Sequence, residues 1–402
     1  MKNILISGGS IAGLALAHWL PRHGFSVTVV ERAPAPRPGG HAVDLRGVAR
    51  EVAERMGVMP QILSARVDER GLAYVDENGR RQASMPVDLF GGEGAVAEIE
   101  ILRGDLTQIL YGTAQQGVEY LFDDSITALT ESGDGVVVSF ERAAQRRFDL
   151  VVGADGLHSN VRRLAFGPEQ QFVKHLGAYT AYFSIPVDDL TLGHWFLLHS
   201  APGGRLAAIR PDGRRSAKAM FSFTATDLVY DRRDAAQQQQ ILRERFADVG
   251  WHTPSLLAAM PQAPDFFFDT ISQVRMESWS RGRVVLLGDA GYCGSPLSGN
   301  GTAMALVGAY VLAGELAAAG GEHRTAFARY EEVMRPYVAE CQKLPPGGVG
   351  GFLPQSHMAI RMRNLSVRMM TSRPLRGLMA KAAQKADSIT LADYGHSPAM
   401  RP

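Results

Sequence analysis

Three stretches far apart in the chain each end a short apolar run on glycine, and together they constrain the fold more than any other feature. The first is Ile4-Leu5-Ile6-Ser7-Gly8-Gly9-Ser10-Ile11-Ala12-Gly13-Leu14, with Val29-Val30-Glu31-Arg32 after it. The second is Asp149-Leu150-Val151-Val152-Gly153-Ala154-Asp155-Gly156, followed by Ser159 and Arg162. The third is Gly282-Arg283-Val284-Val285-Leu286-Leu287-Gly288-Asp289-Ala290, running on to Pro296 and Gly299-Asn300-Gly301. Each pattern alone is weak. Their order and spacing are hard to produce by chance.

Residues 3–7 read as a buried parallel strand, Gly8 ends it, and Ile11–Leu20 carries apolar residues at helical spacing. Glycine at such a turn bends the chain sharply and lets backbone approach a pyrophosphate. The helix that follows offers free N–H groups and a positive dipole end to that anion. Residues 26–31 are the next strand, and Glu31 lies at its end. A carboxylate roughly 20 residues past the glycines suits the 2′-hydroxyl of an adenosine ribose. It repels a 2′-phosphate, so the nucleotide expected here is FAD or NAD rather than NADP. Ser10 replaces the middle glycine of G-x-G-x-x-G; it is small, and its hydroxyl can bond a phosphate.

The chain has 402 residues, enough for one large or two ordinary domains, and 46% are hydrophobic, enough for a sizeable core. A net charge of +1 implies neither a nucleic-acid partner nor a stable membrane association. The chain enters a strand almost at once, leaving no room for a signal peptide, and no apolar run reaches the ~18 residues of a membrane span. Cys293 and Cys341 have no metal or redox spacing, so a reducing cytoplasm is the expected location.

Residues 33–47 read as a Pro/Gly-rich loop, with a helix following through Met56. Residues 72–87 alternate like paired strands around the turn signal Glu77-Asn78-Gly79. A helix is predicted over 103–116, several strands over 118–152 and 177–225, and helices over 237–249 and 302–319. Residues 345–351 break the chain, and 355–385 read as a basic, Met-rich helix with a kink at Pro374. The expected fold class is therefore α/β. A doubly wound, Rossmann-like FAD-binding domain comes from residues 1–72, 99–172 and 274–345. A β-sheet substrate domain (73–98 and 173–273) is inserted in it, and a linker with a C-terminal helix (346–402) follows. The crevice between two such domains is the default ligand site.

These motifs resemble the single-component FAD-dependent aromatic hydroxylases of the p-hydroxybenzoate hydroxylase fold, and within them the polyketide-tailoring and tetracycline-modifying branch. The resemblance covers roughly residues 1–345 and implies a set of roles. Gly8, Ser10, Ile11, Ala12 and Gly13 surround the ADP pyrophosphate. Glu31, with Arg32 beside it, holds the adenosine ribose. Arg46 and Arg103 match arginines near the ribityl-pyrophosphate region. Asp155 and Gly156 match a turn associated with FAD and nicotinamide binding. Gly288 and Asp289 match a pair whose aspartate contacts a ribityl hydroxyl. Pro296, Gly299, Asn300 and Gly301 match the loop beside the flavin ring. Where many relatives carry Gly-Asp-Ala-Ala-His, this chain has Gly-Asp-Ala-Gly291-Tyr292.

The activity implied is oxygenation. NADH or NADPH, diffusing freely because no second dinucleotide fingerprint appears, reduces FAD. O2 adds at flavin C4a, and OH passes to an electron-rich carbon of an aromatic or enolic substrate. The cofactor supplies the chemistry, so no triad or metal cluster is needed and no catalytic base stands out. His41 is a candidate on its loop. The alternative is a flavoprotein of the same fold acting as a reductase or redox-neutral cyclase. Tyr182, Phe196, Met220, Phe221 and Phe223 are candidates to line a pocket for a hydrophobic multi-ring substrate. Strand alternation puts Phe221 and Phe223 on one face and Met220 on the other, so only one set can face it.

Overall fold

The computed structural model describes residues 2–372 and 389–395, apart from Pro38, Asp88, 90–98, 187–192, 214–215 and Asp227. Two sheets organise the chain. The first has six strands in the order β17 (Ser280–Arg281), β18 (Val284–Leu286), β11 (Leu150–Gly153), β1 (Asn3–Ser7), β2 (Ser26–Glu31) and β7 (Val118–Phe122). All neighbours are parallel except β17 and β18. Its central strands are apolar on both faces, as a sheet covered on both sides requires. Helices α1 (Ile11–Arg22) and α9 (Gly301–Ala318) share one core with it, as does a three-stranded antiparallel sheet, β8 (Ile126–Ser132), β9 (Gly135–Phe140) and β10 (Arg146–Phe148). The crossover from β7 to β11 is thus a small sheet and not a helix. Helix α9 is apolar enough to cross a membrane, but 78% of that stretch is buried inside the fold.

The second sheet has seven strands in the order β16 (Phe267–Val274), β12 (Val173–Pro186), β15 (Ser216–Thr224), β14 (Arg205–Pro211), β13 (Trp195–Ala201), β4 (Gly71–Val75) and β5 (Arg81–Pro86). The hairpin joining β4 to β5 turns where the sequence signals it, with Asp76 accepting the Asn78 and Arg80 N–H groups. Helices α6 (Ala235–Phe246) and α7 (Thr253–Ala259) cover one face. The other face meets Leu297 and the two C-terminal helices, α11 (Gly348–Phe352) and α12 (His357–Met370). Helices α2 (Val48–Arg55), α3 (Met59–Ser64), α4 (Arg103–Thr113), α5 (Asn160–Ala165), α8 (Asp289–Tyr292) and α10 (His323–Cys341) are the other α-helices among the described residues, and β3 (Ala42–Asp44) pairs with β6 (Glu100–Leu102).

The chain break expected at 345–351 contains the single turn of α11. The kink expected at Pro374 lies outside the described residues. Helix α12 turns Ile360, Arg363, Val367 and Met370 toward the sheet and leaves Met358, Met362, Leu365 and Met369 exposed. Arg363, one of the helix's basic residues, lies over the Tyr74 ring at 3.7 Å and donates to Ser200. The segment 389–395 packs on α2 and α9: Tyr394 donates to Glu315, and Arg55 and Tyr310 both donate to the Ala392 carbonyl.

Candidate functional site

The three glycine-ending stretches become neighbours because their strands do. Ser7 pairs with Gly153, and Gly153 with Leu286, so all three runs end at one carboxyl edge of the six-stranded sheet. That edge is where open α/β sheets bind ligands.

The first turn is built for close approach. Gly8 has φ +112°, and a Cβ there would lie 2.4 Å from the Ala154 carbonyl oxygen; at Gly13 it would lie 1.9 Å from the Gly8 oxygen. No side chain caps the N-terminus of α1, so its first N–H groups face outward from the turn. The Ser10 hydroxyl accepts from Arg103 at 3.0 Å. Glu31 accepts the Gly9 N–H at 2.7 Å and the Ala33 N–H at 2.9 Å, which holds its carboxylate beside the glycine turn. Arg32 is exposed at the outer rim.

The second turn uses its carboxylate internally. Asp155 accepts the N–H groups of Asn160 (2.9 Å) and Val161 (3.0 Å), and the Ser159 hydroxyl. It starts α5 and braces β1 through Ser7 at 3.5 Å. Arg162 is fully buried and donates to the Ala290 carbonyl at 2.8 Å, joining the second stretch to the third.

In the third stretch Asp289 begins α8 directly beyond β18. It is exposed at this edge of the sheet. The Cys293 thiol is pushed well up by burial and by Asp289, which suits packing and not thiolate chemistry. Gly299 backs onto the Asp44 carboxylate, and Asp44 binds Arg46 at 2.7 Å. Ser295 is held at φ 75°, and among the described residues its buried hydroxyl has no partner. No side chain caps α9 either, so Asn300 and Gly301 present another open helix N-terminus. Tyr292 does not face this turn. Its hydroxyl shares a hydrogen bond of 2.8 Å with Tyr330, and its ring packs on Trp279 at 4.6 Å.

The seven-stranded sheet settles the alternation. Phe221 and Phe223 lie on the face under α6, with Phe246 4.6 Å from Phe221, so they are core residues beneath a helix and away from the crevice. Tyr182 and Met220 are cross-strand partners on the opposite face, and Phe196 shares it. That face also carries polar groups the sequence reading passed over. Arg210 stands opposite Lys218, and each cation is held by acids: Arg210 by Glu69 (2.8 Å) and Glu100, Lys218 by Asp265 (2.7 Å). Their even numbering, shared with Met220 in otherwise apolar strands, was the signal available. Burial raises the Glu100 pKa well above the usual range despite Arg210, since Glu69 and Asp44 crowd it. His41 stacks on Tyr182 at 4.8 Å.

His158, just past the second turn, was also missed. It bonds Glu169 at 2.9 Å and Asp269, on β16, at 3.0 Å, so it ties the two sheets together.

Residues 1–343 match the family described as "FAD binding domain". The chain is 49% identical over 358 residues to an uncharacterized Mycobacterium tuberculosis protein, covering 88% of this chain and 95% of that one. It is 42% identical over 342 residues to a flavin-dependent monooxygenase of Legionella longbeachae, covering 85% of this chain and 87% of the relative. The crystal structure of tetracycline destructase Tet(55) superposes with a TM-score of 0.80 at 39% identity, over 98% of this chain and 99% of that one. The chain belongs to the FAD-binding-domain family of flavin-dependent monooxygenases, and it is an enzyme with FAD as its cofactor. The residues present fit that group: the turn at Gly8 and Gly13 leaves a cradle only backbone can line, both flanking helices are open at their N-termini, and among the described residues the Ser295 hydroxyl lacks a partner.

Proposed function

We propose that this enzyme hydroxylates a hydrophobic, multi-ring aromatic or enolic molecule, using O2 and a freely diffusing NADH or NADPH. Bound FAD supplies the two-electron and O2 chemistry; the protein places the substrate and keeps water out. Gly8, Ser10, Gly13 and the start of α1 would hold the pyrophosphate, with Arg103 across it. Glu31 would take the adenosine ribose, Asp289 the ribityl chain, and the loop from Pro296 to Gly301 the ring. The open N-terminus of α9 would stabilise negative charge on the reduced ring.

The observation that carries the substrate reading is one cross-strand row. Tyr182, Met220, Ala208 and Leu198 run side by side across four strands and share a cluster with Leu297, which lies inside the third motif. A flat apolar molecule resting on that row would face the flavin loop. Phe196 borders it, and Arg210 lies over the Phe196 ring at 4.9 Å. The test is steady-state oxidation of NADH and of NADPH with an oxygen electrode, over a panel of polycyclic phenols and enols, with the product made under labelled O2. Substrate-dependent O2 uptake and one labelled oxygen atom in the product are expected. Flavin that neither pyridine nucleotide reduces, with any of these compounds, would remove the electron source.

A further inference from the structure

Helix α12 carries a face that the fold leaves in water. Among the described residues seven large apolar side chains are exposed, and four of them, Met358, Met362, Leu365 and Met369, lie on this one helix. Their spacing of four, three and four residues sets them in a single row, about 16 Å long at 1.5 Å per residue. None of the four is less than 55% exposed. Arg361 and Arg368, both exposed, run along one edge of the row, and Ala359 and Ser366 run along the other.

Charge is gathered on the same part of the chain. From Cys341 to Ala386 the sequence has eight lysines and arginines and no aspartate or glutamate, a bias that the net charge of +1 conceals. On its arginine edge α12 meets β5, the last strand of the second sheet. A shallow groove of about 240 Å3 runs between them, lined by Arg81, Gln82, Ala83, Ser84, Arg368 and Thr371. It offers two guanidinium groups and two hydroxyls, and none of its lining residues is an acid. Arg81 lies over the Trp195 ring at 4.3 Å, and Asp76, at the nearby hairpin turn, is taken up by Gln82, Asn78 and Arg80. Among the described residues neither Arg81 nor Arg368 pairs with a carboxylate.

An apolar row beside a groove for anions matches the boundary of a bilayer, where acyl chains meet headgroup phosphates. A second copy of the chain lacks that complement. Antiparallel pairing of two α12 rows sets the arginine edge against itself, and parallel pairing sets it against Ala359 and Ser366.

We propose that α12 docks this enzyme reversibly on a bilayer containing anionic phospholipid, with the methionine row among the acyl chains and the groove between Arg81 and Arg368 on headgroup phosphates. On its other side α12 places Val367 in one buried cluster with Met220 and Leu198. Docking therefore brings lipid within one helix of the sheet face that receives the substrate. That use of the surface, though not the docking itself, rests on the reading of a hydrophobic multi-ring substrate, which partitions into lipid.

The test is sedimentation of the full-length flavoprotein, without substrate or pyridine nucleotide, with vesicles of phosphatidylcholine alone or mixed with phosphatidylglycerol. Binding to the mixed vesicles should be at least roughly tenfold tighter and should weaken as salt rises. Arg361→Gln combined with Arg368→Gln should remove roughly tenfold of that preference. Met362→Gln combined with Leu365→Gln should weaken binding to both kinds of vesicle. All four side chains are exposed, so both double variants should keep the wild-type melting temperature, which separates lost docking from lost folding. A wild-type protein left in solution by both vesicles overturns the proposal, whether a second copy or the chain's own residues 373–388 cover the row. Equal binding to both vesicles overturns it too, as do double variants that bind like wild type. Failure of the oxygenase reading looks different: flavin that pyridine nucleotides leave oxidised, in a protein that still sediments with anionic vesicles.

Discussion

Glu31 shows how one side chain serves structure and ligand together. Its two carboxylate oxygens each accept one backbone N–H, from Gly9 and Ala33, with Arg37 3.8 Å from one of them, and a carboxylate has further lone pairs to offer ribose hydroxyls. Glu31→Ala therefore removes a ligand contact and frees two backbone donors at the turn. A hydrogen bond to a charged group contributes about 1.5–3 kcal/mol, so FAD dissociation should rise roughly ten- to hundredfold. Titration of apoprotein with FAD checks this, and wild-type affinity in the variant would contradict the ribose assignment. Glu31 was legible in the sequence because strand end and glycine turn are local features with fixed spacing. The internal use of the Asp155 carboxylate was not, since four of its contacts are to Ser7, Ser159, Asn160 and Val161 in a geometry only the folded turn creates. Nor could the sequence say that Tyr292 turns inward to Tyr330, 38 residues away.

At the scale of elements, strands carrying the motifs were readable because apolar runs ending in glycine have few other interpretations. The strands of the crossover, β8, β9 and β10, fall inside the stretch read as strands, but the long helix α10 was less readable. Helix α10 mixes charged and apolar residues and gains its place from Phe327, Tyr330, Met334 and Tyr337 packing on a core the sequence does not display. Strand parity predicted two faces of the second sheet, but only the packing of α6 on Phe221 and Phe223 decided which face lies toward the third motif. Helix α9 gives a sharp test of packing against propensity. Replacing a helix-interior glycine with alanine normally stabilises by up to about 1 kcal/mol. At Gly308 an added Cβ would lie 2.2 Å from the Tyr292 hydroxyl and 3.0 Å from Leu287, both in the core. Moving Tyr292 breaks its bond to Tyr330 and disturbs the ring packed on Trp279. Overpacking a core costs about 1–3 kcal/mol, so Gly308→Ala should be net destabilising by about 1–2 kcal/mol. Urea denaturation measures it, and a midpoint raised above wild type would show that the Tyr292 cluster yields freely.

Across the whole molecule, His158 is the titratable link between the sheets, and its sign can be worked out. Burial alone would depress its pKa, but hydrogen bonds to Asp269 and Glu169 outweigh burial and raise it from 6.5 to about 8. Glu169 is half-buried too, yet His158 and Arg232 lower it from 4.5 to about 2. The carboxylate moves further because Arg232 also bonds it, at 2.9 Å, so the smaller histidine shift is the measure of the His158 link. A shift of about 1.5 units corresponds to about 2 kcal/mol. A base whose pKa rises on folding stabilises fully below its unfolded value and loses that contribution as pH climbs through the folded one. The link is therefore complete below about pH 6.5 and lost above about pH 8; the Glu169 contribution is present above about pH 4.5 and falls away only toward pH 2. His41, His199 and His323 are shifted downward, so their own titrations lie below about pH 6.5. Urea unfolding of wild type at pH 6 and pH 9 should show a loss of about 2 kcal/mol that His158→Gln lacks. Equal pH dependence in the two proteins would mean that His158 does not hold the sheets together. Because Asp269 lies on the sheet that carries Tyr182 and Met220, and His158 adjoins the second glycine turn, loosening the link should also widen the crevice. Quenching of flavin fluorescence by iodide should then increase above pH 8 in wild type, and should already be high at pH 6 in His158→Gln.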